Sequence, residues 1–70
     1  MITIGEAIRN TRLSKGLSQN KLAIISGVSV QNICNYEQNR SFATIINLIP
    51  LADALGVTLD ELVGRTVESK

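Results

Sequence analysis

Seven of the 21 positions from Gln19 to Asn39 are carboxamides: Gln19, Asn20, Gln31, Asn32, Asn35, Gln38 and Asn39. Asn is a poor helix former, and Glu or Lys is the commoner choice for an exposed helix face. A carboxamide carries a donor and an acceptor side by side. In that geometry it pairs with N6 and N7 of adenine in the major groove of duplex DNA. Solvation of a helix face is the plainer use of the same side chains, and the residue types alone leave both uses open.

Other chemistries find little to work with. The sequence has no His and one Cys, Cys34, so neither an internal disulfide nor a Cys/His zinc site can form. Cys34 reads as a small, soft residue of a reduced, intracellular protein. No glycine-rich phosphate loop is present, and the adjacent carboxylates Asp60 and Glu61 sit where a helix start uses them. An enzyme is not expected, nor a cofactor or a metal.

The net charge is only +1, but it is unevenly spread. Residues 1–40 hold Arg9, Arg12, Lys15, Lys21 and Arg40 against Glu6 and Glu37, a net +3. Residues 41–70 hold Arg65 and Lys70 against Asp53, Asp60, Glu61 and Glu68, a net −2. An electropositive face on the N-terminal half would suit a polyanion. No apolar run approaches the roughly 18 residues of a membrane span. The first residues lack the basic start and long apolar stretch of a signal peptide. A soluble cytoplasmic protein without a membrane partner is expected.

Seventy residues make one domain. The composition is 44% hydrophobic but only 3% aromatic, so the core must be built from Ile, Leu, Val and Ala. Thr3 and Glu6 have capping-box spacing and open a helix from about Ile4 to Lys15, with Gly16 as its stop. Ser18 is an N-cap for a second helix to about Ser26, closed by Gly27. Ser29 opens a third, to about Gln38. Thr44 can cap a fourth, with Ile45, Leu48, Ile49, Ala52 and Leu55 as its buried stripe and Gly56 beyond its end. Pro50 lacks an N–H and presses on the carbonyl four residues back, so a kink or a displaced start is expected there. Thr58 and Glu61 repeat the capping-box spacing at a short fifth helix. Residues 1–64 are expected to form the domain, and 65–70 a polar tail that frays. The expected fold class is all-α, with no sheet.

The turn Ser26-Gly27-Val28-Ser29 is short enough to set the second and third helices at a steep angle and bare the start of the third. Leu22, Ala23, Val28, Ile33 and Tyr36 have the spacing to pack inside that pair. Gln31, Asn32 and Asn35 then fall on the first turn of the third helix and one turn later, the part of a recognition helix that enters the groove.

Arg12-Leu13-Ser14-Lys15-Gly16-Leu17-Ser18-Gln19, Lys21-Leu22-Ala23, Ser26-Gly27-Val28-Ser29, Ile33, Tyr36-Glu37, Asn39-Arg40 and Leu51-Ala52-Asp53-Ala54-Leu55-Gly56-Val57 follow one another in a distinctive order and spacing. Through them nearly the whole chain, residues 4–64, resembles the Cro and phage-repressor-like helix-turn-helix domains, the XRE group. The resemblance implies a compact five-helix domain whose second and third helices form the helix-turn-helix. It implies base contacts from Val30, Gln31, Asn32 and Asn35, phosphate contacts from Gln19, Ser29, Asn39 and Arg40, and a structural Arg12–Glu37 ion pair. Six positions depart from the usual pattern, Pro50 in the fourth helix among them. Thr11 replaces a larger apolar residue and thins the core; Ile24 and Ile25 replace polar residues and leave apolar surface on the second helix; Val30 and Ala43 replace a polar reader and a proline.

Double-stranded DNA is thus the expected partner, and a sequence-specific transcriptional regulator, a repressor acting as a homodimer on a palindromic operator, the expected function. Val57, Leu59, Leu62 and Val63, with Phe42, are the residues available for a dimer contact, although Leu59 and Leu62 equally suit the core. An antitoxin-like module whose main task is to bind a partner protein through Ile24 and Ile25 is the alternative.

Overall fold

A computed structural model describes residues 3–64. Five helices follow in order: α1, Ile4–Ser14; α2, Gln19–Ser26; α3, Val30–Glu37; α4, Ile45–Leu55; and α5, Leu59–Gly64. No strand occurs among the described residues. The tail expected at 65–70 lies outside them.

Local chemistry sets most of the helix ends. At α1 the Thr3 N–H donates to Glu6 Oε1 and the Glu6 N–H to Thr3 Oγ1, both at 3.0 Å. The same reciprocal pair joins Thr58 and Glu61 before α5, at 2.8 and 3.0 Å. Ser18 Oγ accepts from the Lys21 N–H and Ser29 Oγ from the Asn32 N–H. Each cap satisfies a donor that the first helical turn otherwise leaves unpaired. Thr44 occupies the N-cap position of α4 with extended backbone, but its side chain makes no capping bond.

The core holds Ala7 and Ile8 of α1, Leu22 of α2, Val28 of the turn, Ile33 and Tyr36 of α3, Leu48, Leu51, Ala52 and Leu55 of α4, and Leu62 of α5. Leu62 is fully buried, and Val57, Leu59 and Val63 pack against this cluster, so these four mainly complete the core. Phe42, by contrast, is 98% exposed.

The expected buried stripe of α4 needs correction. Ile45 and Ile49 are not on its buried stripe; they are 56% and 49% exposed, and Leu51 is buried instead. The helix is apolar nearly all round, so hydrophobicity could not select the inward phase. Contact with α2 and α5 selects it, and Leu48, Leu51, Ala52 and Leu55 supply the i, i+3, i+4, i+7 set. Pro50 does not displace the helix start. It lies six residues in and the helix continues to Leu55, with the bond from position 50 to the Ile46 carbonyl forgone.

Thr11 is 3% exposed, and its Oγ1 has no hydrogen-bond partner among the described residues. A buried hydroxyl that gives up water without a replacement is destabilising. Thr11→Val keeps the shape and removes the hydroxyl, so a rise in unfolding free energy of about 1 kcal/mol is expected in urea titration.

Candidate nucleic-acid interface

The geometry of α2 and α3 starts at Gly27. Its φ of +78° is open to glycine at no steric cost and reverses the chain directly after α2. The Val28 N–H donates to Ser26 Oγ at 3.1 Å, and the Val28 side chain is buried beneath the turn. With Leu22, Ile33 and Tyr36 also buried, the pair has one inner face, and the early polar residues of α3, Gln31 and Asn32, stay exposed, whereas Glu37 at its end is buried.

At the start of α3, Val30, Gln31 and Asn32 are all exposed, and Asn35 is half-buried one turn on. Gln31 Nε2 lies 3.4 Å from Asn35 Oδ1, so the two amides sit side by side on one face. Ser29 Oγ accepts from the backbone at the cap, which leaves its own hydroxyl proton free to donate outward. Val30 is 40% exposed, an apolar spot on an otherwise polar edge.

Gln19 opens α2 and is half-buried, with Nε2 donating to Glu37 Oε1 at 3.0 Å. Glu37 is also the partner of Arg12: Nε donates to Oε2 at 2.8 Å and Nη2 to Oε1 at 3.0 Å, while Nη1 donates to the Leu17 carbonyl at 2.7 Å. The expected Arg12–Glu37 pair is therefore present as a bidentate fork, with side-chain exposures of 10% and 2%. The Gln19 bond was not visible in the sequence. It fixes the first residue of α2 to the last residue of α3, so the brace spans α1, α2 and α3 at once.

Arg9, Arg12, Gln19, Glu37 and Gln38 line an open polar cleft of about 440 Å³ beside the start of α2. Arg9 was not singled out from the sequence. Its place one turn before Arg12 on α1 is the signal that could have found it, since residues three apart share a helix face. Unlike Arg12, Arg9 is exposed.

Asn39 and Arg40 are exposed in the loop after α3. Asn39 takes a left-handed φ of 59°, a conformation Asn tolerates better than most side chains. The Arg40 N–H donates to the Asn35 carbonyl at 2.8 Å, which ties this loop to the end of α3. Gln19, Ser29, Val30, Gln31, Asn32, Asn35, Asn39 and Arg40 are thus all carried by α2, α3 and the segments that cap them. Among the described residues no group of three or more His, Cys, Asp or Glu could hold a metal ion, and no helix is long and apolar enough to cross a membrane.

Comparison with known proteins gives a consistent answer. A helix-turn-helix family model matches residues 8–62. An uncharacterised HTH-type transcriptional regulator of Sinorhizobium fredii, y4dJ, is 39% identical over 66 residues, 94% of this chain and 86% of that protein. The cryptic phage CTXphi transcriptional repressor RstR of Vibrio cholerae is 36% identical over 62 residues, 89% of this chain but only 55% of its own length. Among solved structures, the restriction-modification controller protein C.AhdI from Aeromonas hydrophila superposes with a TM-score of 0.81 at 34% identity, covering 84% of this chain and 89% of that one. The SinR protein/SinI protein complex also matches with a TM-score of 0.81, at 28% identity over 96% of this chain and 69% of the matched one. The chain belongs to the Cro and phage-repressor-like, or XRE, family of helix-turn-helix transcriptional regulators.

Proposed function

We propose that the chain is a sequence-specific, cytoplasmic repressor that binds palindromic operator DNA as a homodimer, with α3 in the major groove. The observation that carries this reading is the exposed edge Val30-Gln31-Asn32 with Asn35 one turn behind, on a helix whose other face is locked into the core. Gln31, Asn32 and Asn35 read base edges, and Val30 offers a methyl contact to thymine. Gln19, Ser29, Asn39 and Arg40 hold phosphates on either side, which sets register without reading sequence. Arg12 and Glu37 carry no reading role; they hold α2 and α3 at the angle that presents the amides, and Gly27 makes the turn between them. A single unit reads a few base pairs, and a two-fold pair with half-sites about one DNA turn apart gains the specificity that a repressor needs.

Selection of bound sequences from a random duplex pool tests this reading. It should recover an inverted repeat with half-site centres about 10 base pairs or a multiple apart. Recovery of unrelated sequences would count against it.

A second reading rests on Ile24 and Ile25, which are 77% and 48% exposed on α2. Apolar residues of that size on an outer face suit a protein partner, as in an antitoxin. The SinR-SinI match is to a protein complex, which keeps such a partner in view. A chain that fails to bind any duplex but is captured through Ile24 and Ile25 would favour this reading.

A further inference from the structure

Exposed large apolar side chains are most numerous on α4 and the loop before it. Phe42 is 98% exposed, Ile46 78%, Ile45 56% and Ile49 49%. At about 100° per residue, Ile45, Ile49 and Ile46 fall on one continuous flank that borders the stripe packed inward. Residues 41–52 include no Asp, Glu, Lys or Arg; Arg40 precedes this stretch and Asp53 follows it.

From this arrangement we infer that the α4 flank formed by Ile45, Ile46 and Ile49, together with Phe42, is the surface through which a second copy of the chain pairs across a two-fold axis. The inference rests on the homodimer reading and assigns its contact to α4. An isologous contact lays a patch against itself, so any central charge meets its own copy. This stretch has none. Four exposed side chains of this size present on the order of 500 Å². Doubled across the axis they supply at most about 1,000 Å², the low end for a specific interface and the size of a weak, reversible contact.

The same helix is coupled to the amide edge. Asn47, between the exposed isoleucines, donates from Nδ2 to the Tyr36 hydroxyl at 2.6 Å, and Tyr36 is a buried residue of α3. A contact made by α4 therefore fixes where the two copies of α3 stand relative to each other. The pair Ile24-Ile25 is smaller and follows Lys21, whose charge would be repeated across an axis placed there.

Sedimentation equilibrium of the full chain without DNA tests the surface. The wild type should dimerise reversibly with a dissociation constant on the order of micromolar. Ile46→Glu and Ile49→Glu, each checked for helical content, should weaken the dimer roughly a hundredfold, because each charge opposes its own copy. Ile24→Glu should dimerise as the wild type does. A wild type that stays monomeric at all concentrations overturns the inference. So does a dimer that survives both α4 substitutions, or one lost only in Ile24→Glu. A monomeric wild type that still selects a duplex sequence would remove this surface and leave recognition by α3 standing. A dimer of the expected kind that binds no duplex would do the reverse.

Discussion

Glu37→Ala is expected to lower the unfolding free energy by about 3–5 kcal/mol, as removal of one partner from a buried pair does. Glu37 is 2% exposed in its side chain and accepts three hydrogen bonds, two from Arg12 and one from Gln19. Without it, the Arg12 guanidinium keeps only the Leu17 carbonyl and stays buried with an uncompensated charge. A domain of this length is held together by roughly 3–10 kcal/mol in total. The variant should therefore sit near its unfolding midpoint without denaturant, as circular dichroism in a urea series will show. Replacing both partners by apolar residues, Arg12→Met with Glu37→Leu, removes both charges and should restore much of the loss. If Glu37→Ala proved as stable as the wild type, the pair would not be the brace that its geometry describes.

Gly5→Ala is expected to cost about 3 kcal/mol, opposite in sign to what helix propensity alone gives. Inside an ordinary exposed helix, Ala replaces Gly with a gain of about 1 kcal/mol. At Gly5 an added Cβ would collide with the Tyr36 carbonyl oxygen and lie 3.0 Å from Asn39 Oδ1. The first neighbour is backbone and is already engaged, accepting from the Asn39 N–H at 3.1 Å. It cannot swing aside as a side-chain tip would. The start of α1 must then move off the end of α3, loosening Ala7 and Ile8 against Tyr36. Overpacking of this kind reaches the upper part of its usual range when backbone meets backbone. Thermal unfolding of Gly5→Ala beside the wild type gives the sign directly, and a raised midpoint would show that the close approach is not maintained.

Much of the fold was legible because its signals are local. The Thr3–Glu6 and Thr58–Glu61 boxes, the Ser18 and Ser29 caps and the turn at Gly27 each need only a few neighbouring residues, and each forms as the spacing implies. The α4 register was not legible, because Ile45, Ile46, Leu48, Ile49 and Leu51 are all apolar and only packing separates the buried from the exposed. Gly5 gives no sign of its role, since nothing near it in sequence marks the approach of Tyr36. At the candidate site, residue types and helix position were enough to single out Gln31, Asn32 and Asn35. The Arg12–Glu37 pairing came from family resemblance and not from spacing. The Gln19–Glu37 bond and the placing of Arg9 on the polar cleft depend on how three helices meet, which no local pattern encodes.

Recognition by the α3 amides is tested most directly by dissociation constants of the wild type and of Gln31→Ala with Asn35→Ala, on the selected duplex and on a scrambled one. On the selected duplex, each lost base contact should cost roughly 1–3 kcal/mol. On the scrambled duplex, binding should be nearly unchanged and should weaken steeply with salt for both proteins, since the phosphate contacts remain. Equal loss on both duplexes, or no loss on either, would contradict the assignment of Gln31 and Asn35 as readers.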